Sequence, residues 1–225
     1  MVGNTMSDML GRRLEDEDLA KFPLVNRIDA INNAMLRLIN LLDNDHLEEL
    51  RTTDDLDPAA GVHTLIGAGG LVPALVRNGI QKVYDNNAGT FMHLVDPMDL
   101  EKTANGYLTP SANYIIAYVY GTNLYVDPTT NDVTVWYLGI PNLFSSAGAS
   151  TGYIAMATAC PLNLGLHPIV VDMAEAELWK QDGKSEKAES ILVSADKEIE
   201  TLNQRAVAER KEAMGRKTGV NQRKE

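Results

Sequence analysis

The stretch LIGAGGLVPALVRNGIQKVYD, Leu65–Asp85, separates two possible folds. An apolar run meets glycines, a second apolar segment follows, and a β-like IQKVYD ends on an acid that could hold a ribose, as in a dinucleotide-binding βαβ unit. That fingerprint needs G-x-G-x-x-G or G-x-G-x-x-A at a strand-to-helix turn, where helix N–H groups face the pyrophosphate. Gly67 and Gly69 supply two glycines, but Val72 stands in the third place and Pro73 follows it. Only Ala74–Asn78 remain before Gly79, too few for a crossover helix. A tight turn between strands, or a strand entry in which glycine solves a backbone problem, fits better.

On the N-terminal side of this stretch a polar arm precedes LVNRIDAINNAMLRLINLLD, in which Leu24, Ile28, Ile31, Met35, Leu38 and Leu42 step by threes and fours. That spacing predicts a core helix, and Val25, Ala34, Ile39 and Leu41 widen its apolar side toward more than one neighbour. Asp43–Leu50 continues the helix or forms a second short one, and RTTDDLDPAAG reads as a loop.

On the C-terminal side the helical period disappears until about Ile140. IQKVYD and TFMHLVD flank Asn86–Gly89 as a hairpin. NYIIAYVYGTNLYVDPTTNDVTVWYLG, 113–139, predicts a three-stranded antiparallel meander. Phe144–Cys160 has no clean period and reads as irregular. Helix returns at His167-Pro168 and ends at Gly183, with stripes on two sides that predict deep packing. A final helix starts after Ser185, a candidate N-cap, and runs to about Met214, far enough to project from the domain. The fold class expected is α+β: a helical bundle of one N-terminal and two C-terminal helices around a central antiparallel β-rich insertion. The expected segments are 1–61 (arm and first core helix), 62–160 (β-rich insertion), 161–204 (closing helices) and 205–225 (basic tail).

The 225 residues are 44% hydrophobic and 23% charged, an ordinary balance for a chain that folds around a core. No apolar run is long enough for a membrane span or a signal peptide, so a soluble protein is expected. The formal charge of −11 argues against general nucleic-acid binding, which needs Lys and Arg to displace counterions. The charge is uneven: 205–225 carries a net +4, leaving −15 for residues 1–204.

Catalytic constellations are weak. Histidines 46, 63, 93 and 167 are scattered and read as surface or capping residues, which suggests no metal site. Cys160 precedes Pro161 without a nucleophile signature and reads as a packed thiol. Asp54, Asp55 and Asp57, and the acids of Glu15–Asp18, read as solvated loop carboxylates. No cofactor is expected and the chain does not read as an enzyme; the alternative is a nucleotide-binding enzyme using Gly67–Asp85.

The order of elements resembles the head-to-tail adaptor (head-completion, connector) proteins of tailed bacteriophages. The likeness is carried by RIDAINNAMLRLINLL, by IQKVYDNNAG with HLVDPMDLE, by NYIIAYVYGTNLYVDPTTNDVTVWYLGIP, and by LHPIVVDMAEAELWKQDGKSEKAESILVSADKEIETLN. The resemblance implies a structural virion protein at the head-tail interface, made in the host cytoplasm. Such proteins form a homo-oligomeric ring, typically twelve-fold, under the portal protein; they extend the DNA channel, help retain the packaged genome, and offer a surface to a tail or neck protein. DNA passes through without specific binding. By that likeness, Arg205, Arg210, Lys211, Arg216, Lys217, Arg223 and Lys224 are candidate portal-docking residues, against the alternative of a solvated, frayed tail. Another neck or tail-completion protein shares the same outline.

Overall fold

The computed structural model describes residues 1–16, 19–56, 62–64, 75–99, 115–121, 123–127, 132–150 and 152–221, with backbone alone at 63–64, 75–79, 127 and 214–221. The helices among them are α1 (Gly3–Arg13), α2 (Leu24–Leu41), α3 (His167–Gln181) and α4 (Ser185–Asn221). The strands are β1 (Arg51–Leu56), β2 (Val62–Thr64), β3 (Leu75–Asp85), β4 (Thr90–Phe91), β5 (His93–Leu94), β6 (Ile116–Tyr120), β7 (Asn123–Asp127), β8 (Val133–Gly139), β9 (Leu143–Ser145) and β10 (Tyr153–Ala155). The protein is thus α+β. One unit comprises Met1–Glu49 with Pro141–Glu225, the other Leu50–Ile140. The β-rich unit therefore starts earlier than the 62–160 segment drawn from sequence, because RTTDDL is strand β1 rather than loop, and ends earlier, because the chain from Pro141 joins the helical unit, with Phe144 bonded to Asn32.

In the helical unit, α3 packs against α1, α2 and α4. That position explains its composition: ten of its fifteen residues are buried, including Ile169, Val170, Val171 and Ala174, so no single apolar stripe suffices. α2 buries Ile28, Ile31, Met35 and Leu38 as its spacing predicts, while Val25 and Leu41 remain exposed. Asp43–Leu50 holds two short 3-10 turns.

The N-terminal arm is a helix. Met6 and Leu10 of α1 are fully buried, although polar neighbours interrupt their pattern. The turn after α1 is tied down by a buried ion pair: Arg27 Nη2 lies 3.1 Å from Asp16 Oδ2, and Arg27 Nε donates to the Phe22 carbonyl at 3.1 Å. The Asp16 carboxylate also accepts from the N–H groups of Lys21 (2.9 Å) and Phe22 (2.7 Å). Asp16 is therefore not a solvated loop acid, as its sequence neighbours suggest; it is 6% exposed and organises the link between α1 and α2. Gly11 permits this, since a Cβ there would sit 2.5 Å from Arg27 Nη1.

Phe144–Cys160, irregular by sequence, contributes the parallel pair β9–β10. Asn32 of α2 holds it: Asn32 Nδ2 donates to the Phe144 carbonyl (3.0 Å) and the Phe144 N–H donates to Asn32 Oδ1 (2.8 Å). Phe144 itself is buried.

The β-rich unit has two four-stranded sheets, ordered β1-β8-β3-β4 and β2-β7-β6-β5. The expected 113–139 meander is corrected here. β6 and β7 form an antiparallel hairpin, but β8 leaves them and lies between β1 and β3 in the other sheet. The reason is burial: Val133, Val135 and Tyr137 of β8 and Ala117, Leu124 and Val126 of the hairpin share one core, so each sheet covers the other. The turn Asn86–Gly89 joins β3 to β4 as the sequence implies, with Gly89 at φ +67°. TFMHLVD then splits, β4 staying with the first sheet and β5 pairing in parallel with β6 in the second.

Candidate partner-docking surface

The candidate docking residues lie on or beyond α4, whose 37 residues span about 55 Å at 1.5 Å per residue. Its inner stripe is small, with Ala188, Ala195 and Ala206 buried beside Ile199, so the helix lies close to α3. Gly183, at φ +76°, makes the reversal between the two helices. Ser185 is the first helical residue rather than the cap, the Lys184 carbonyl accepting from the Ala188 N–H.

Three contacts pin the distal half of α4 to the end of α2. Asn203 Nδ2 donates to the Leu41 carbonyl (2.9 Å) and its Oδ1 accepts from the Asp43 N–H (2.7 Å), so one amide caps the C-terminus of α2. His46 Nε2 donates to the Leu202 carbonyl at 2.9 Å. Arg210 pairs with Asp43 and, at 2.7 Å, with Asp45. The hydrogen bond from Arg210 holds the Asp43 carboxyl below its ordinary pKa.

The seven candidate bases therefore differ in state. Arg210 is engaged within the chain. Arg205 and Lys211 are exposed. Arg216 and Lys217 fall on the last turns of α4 with only their backbone described, and Arg223 and Lys224 lie outside the described residues. Between α2 and α4 runs an open groove of about 770 Å³ with Ile199 buried in its floor and Leu41 and Val207 on its walls. Arg37, Asp196, Glu200 and Lys211 border it.

A second cationic feature was not legible in the sequence. The Nζ atoms of Lys187, Lys184 and Lys21 lie 3.9, 4.3 and 5.5 Å from the Trp179 ring centroid, and Asp182 pairs with Lys21 and Lys184 at the same corner. In the β-rich unit, Tyr84, Phe91 and Trp136 cluster at centroid distances of 5.1–6.2 Å, and Phe91 is 56% exposed.

The other sequence candidates are placed as follows. The Asp85 carboxylate, the acid considered for a ribose, is buried and accepts from the N–H groups of Asn87 (2.8 Å) and Ala88 (2.9 Å) in its own turn. Leu65–Ala74, with the glycines, lies outside the described residues. His167 is neither a surface residue nor a cap: it is 2% exposed, Nε2 donates to the Leu162 carbonyl (2.8 Å), and Nδ1 lies 2.6 Å from the Met1 amine. Burial pushes its pKa down. Cys160 is buried with Sγ 3.6 Å from Met35 Sδ, and burial raises its thiol pKa, which suits a packed and unreactive side chain. Among the described residues no cluster of His, Cys, Asp and Glu could hold a metal ion, and no helix is long and apolar enough to cross a membrane. No protein-family model and no curated protein matches the chain.

Proposed function

We propose that the chain is a structural virion protein of the head-to-tail adaptor kind, which assembles as a ring beneath a portal protein and presents a surface to a tail or neck component. The reading rests on one observation: a helical unit made from both ends of the chain, with a β-rich unit inserted between Glu49 and Pro141 and a long closing helix that carries bases beyond the pairing of Arg210 with Asp43 and Asp45. An acidic body suits a channel lining, since like charge repels DNA phosphates and leaves the duplex free to slide. The bases of 205–225 suit an acidic portal surface, with docking led by Arg205, Lys211, Arg216, Lys217, Arg223 and Lys224. Arg210 joins them only by leaving Asp43 and Asp45.

The test is the mass and shape of the purified protein, alone and mixed with isolated portal rings, by light scattering and electron microscopy. A ring of this chain on the portal, released by high salt, is the expected result. A chain that never engages portal rings at low salt refutes the reading.

A further inference from the structure

The groove between α2 and α4 carries unlike charges at its two ends. Arg37 borders both this groove and Leu192, which places it at the Asp196 end, while Leu41 is tied to Asn203. Asp196 and Glu200 against Arg37 leave one end net negative, and Lys211 makes the other positive. Arg37, Asp196 and Lys211 have no ion-pair partner among the described residues. Leu41 and Val207 stay exposed between the ends, at 41% and 42%.

We propose that this groove is a self-association surface in which α4 of a second copy lies antiparallel, about a two-fold axis passing between Asn203 and Gln204. Residues equidistant from that axis meet: Lys211 with Asp196, Val207 with Glu200, and Gln204 with Asn203. Each end of the contact then gathers two bases, Arg37 and the second copy's Lys211, against Asp196 and Glu200, so charges unbalanced in one copy balance in two. Leu41, level with Asn203 and so beside the axis, closes on its symmetry mate, while Val207 packs on the methylene stem of the second copy's Glu200, and both leave water. A parallel arrangement in register is excluded by the same charges, since it sets Lys211 beside Lys211 and Asp196 beside Asp196. The contact is isologous and so differs from the head-to-tail contact that closes a ring; it does not rest on the adaptor reading.

Charge reversal tests it, because Asp196 and Lys211 are exposed and their reversal leaves the fold intact, as a circular dichroism melt verifies. Wild-type chain, Asp196→Lys, Lys211→Asp and an equimolar mixture of the two variants are compared by sedimentation and native mass spectrometry. Each single variant is expected to weaken the two-fold dimer about tenfold or more. The mixture restores it: at one end of the mixed dimer the two substituted side chains meet with their charges exchanged, and at the other end the native Asp196 and Lys211 meet. A wild-type chain that is monomeric throughout, single variants that associate like wild type, or a mixture that fails to recover each overturns the proposal. Because Lys211 also serves portal docking, Asp196→Lys separates the two readings: a ring that forms on the portal while this variant associates like wild type sinks this contact and leaves the adaptor reading standing, and a dimer that obeys the reversals and ignores the portal does the opposite.

Discussion

Asn32 sits on a helix whose other inward residues, Arg27 apart, are apolar, and its amide supplies both hydrogen bonds to the Phe144 backbone. Replacing it with leucine keeps the volume and orphans a buried N–H and C=O. Asn32→Leu is expected to cost about 2–4 kcal/mol in a urea titration, more than its polarity change on an exposed face would. His167 sets a pH dependence of known sign. Its folded pKa is lowered, chiefly by burial, so its contribution is complete above the ordinary histidine value of about 6.5 and declines as pH falls from there toward the folded value. Denaturation midpoints at pH 8 and pH 5.5 are expected to differ, and the difference to shrink in His167→Gln. At this scale the sequence was hardest to read. Asn32, Asp16 and His167 are polar types that look like surface, and only partners 112, 11 and 5 residues away make their burial tolerable.

Elements were more legible where period and burial agree. The α2 stripe, the two-sided apolar character of α3 and the Asn86–Gly89 hairpin all follow from spacing and turn chemistry. α1 escaped because its inner face carries only two large apolar side chains, Met6 and Leu10, among Gly3, Ser7 and Gly11. The departure of β8 from the β6–β7 hairpin escaped because alternation predicts which residues of a strand face a core but not which neighbour completes its hydrogen bonds. The distal half of α4 yields a prediction of its own. The lowered Asp43 pKa means that its pairing with Arg210 is complete above the ordinary aspartate value of about 3.9 and is lost as pH falls through the folded value. Amide protection factors near Asn203–Arg210, taken relative to the intrinsic exchange rate at each pH, are therefore expected to fall in acid, and Arg210→Gln to show the lower protection already at pH 7. Because Ala206 is buried and Arg210 anchored, truncation after Glu212 should leave the melting curve unchanged, whereas truncation before Ala206 should lower it.

For the whole molecule, the uneven charge is the feature most open to test. With −15 on residues 1–204 and +4 beyond, capture by portal rings is expected to weaken steadily between low and high ionic strength. Reversing Arg205 and Lys211 together should flatten that dependence in a pull-down series, while the melting temperature holds. The α+β class was legible from the switch of period at either side of the middle segment. The division into units was less so, since Leu50–Ile140 opens on the border between a stretch that reads as helix and RTTDDLDPAAG, which reads as a loop.

The helical unit is discontinuous, and that has a consequence on the ribosome. α2 leaves the exit tunnel with its apolar flank uncovered, and α3, the helix that covers it, follows only after about 125 further residues, Leu42 to Leu166. At elongation speeds of about 5–20 residues per second, that delay is roughly 6–25 s. Leu50–Ile140 can complete its own sheets in the interval, so the nascent chain is expected to pass through a stage with one finished unit and one sticky, half-made one, the moment at which a holding chaperone has most to bind.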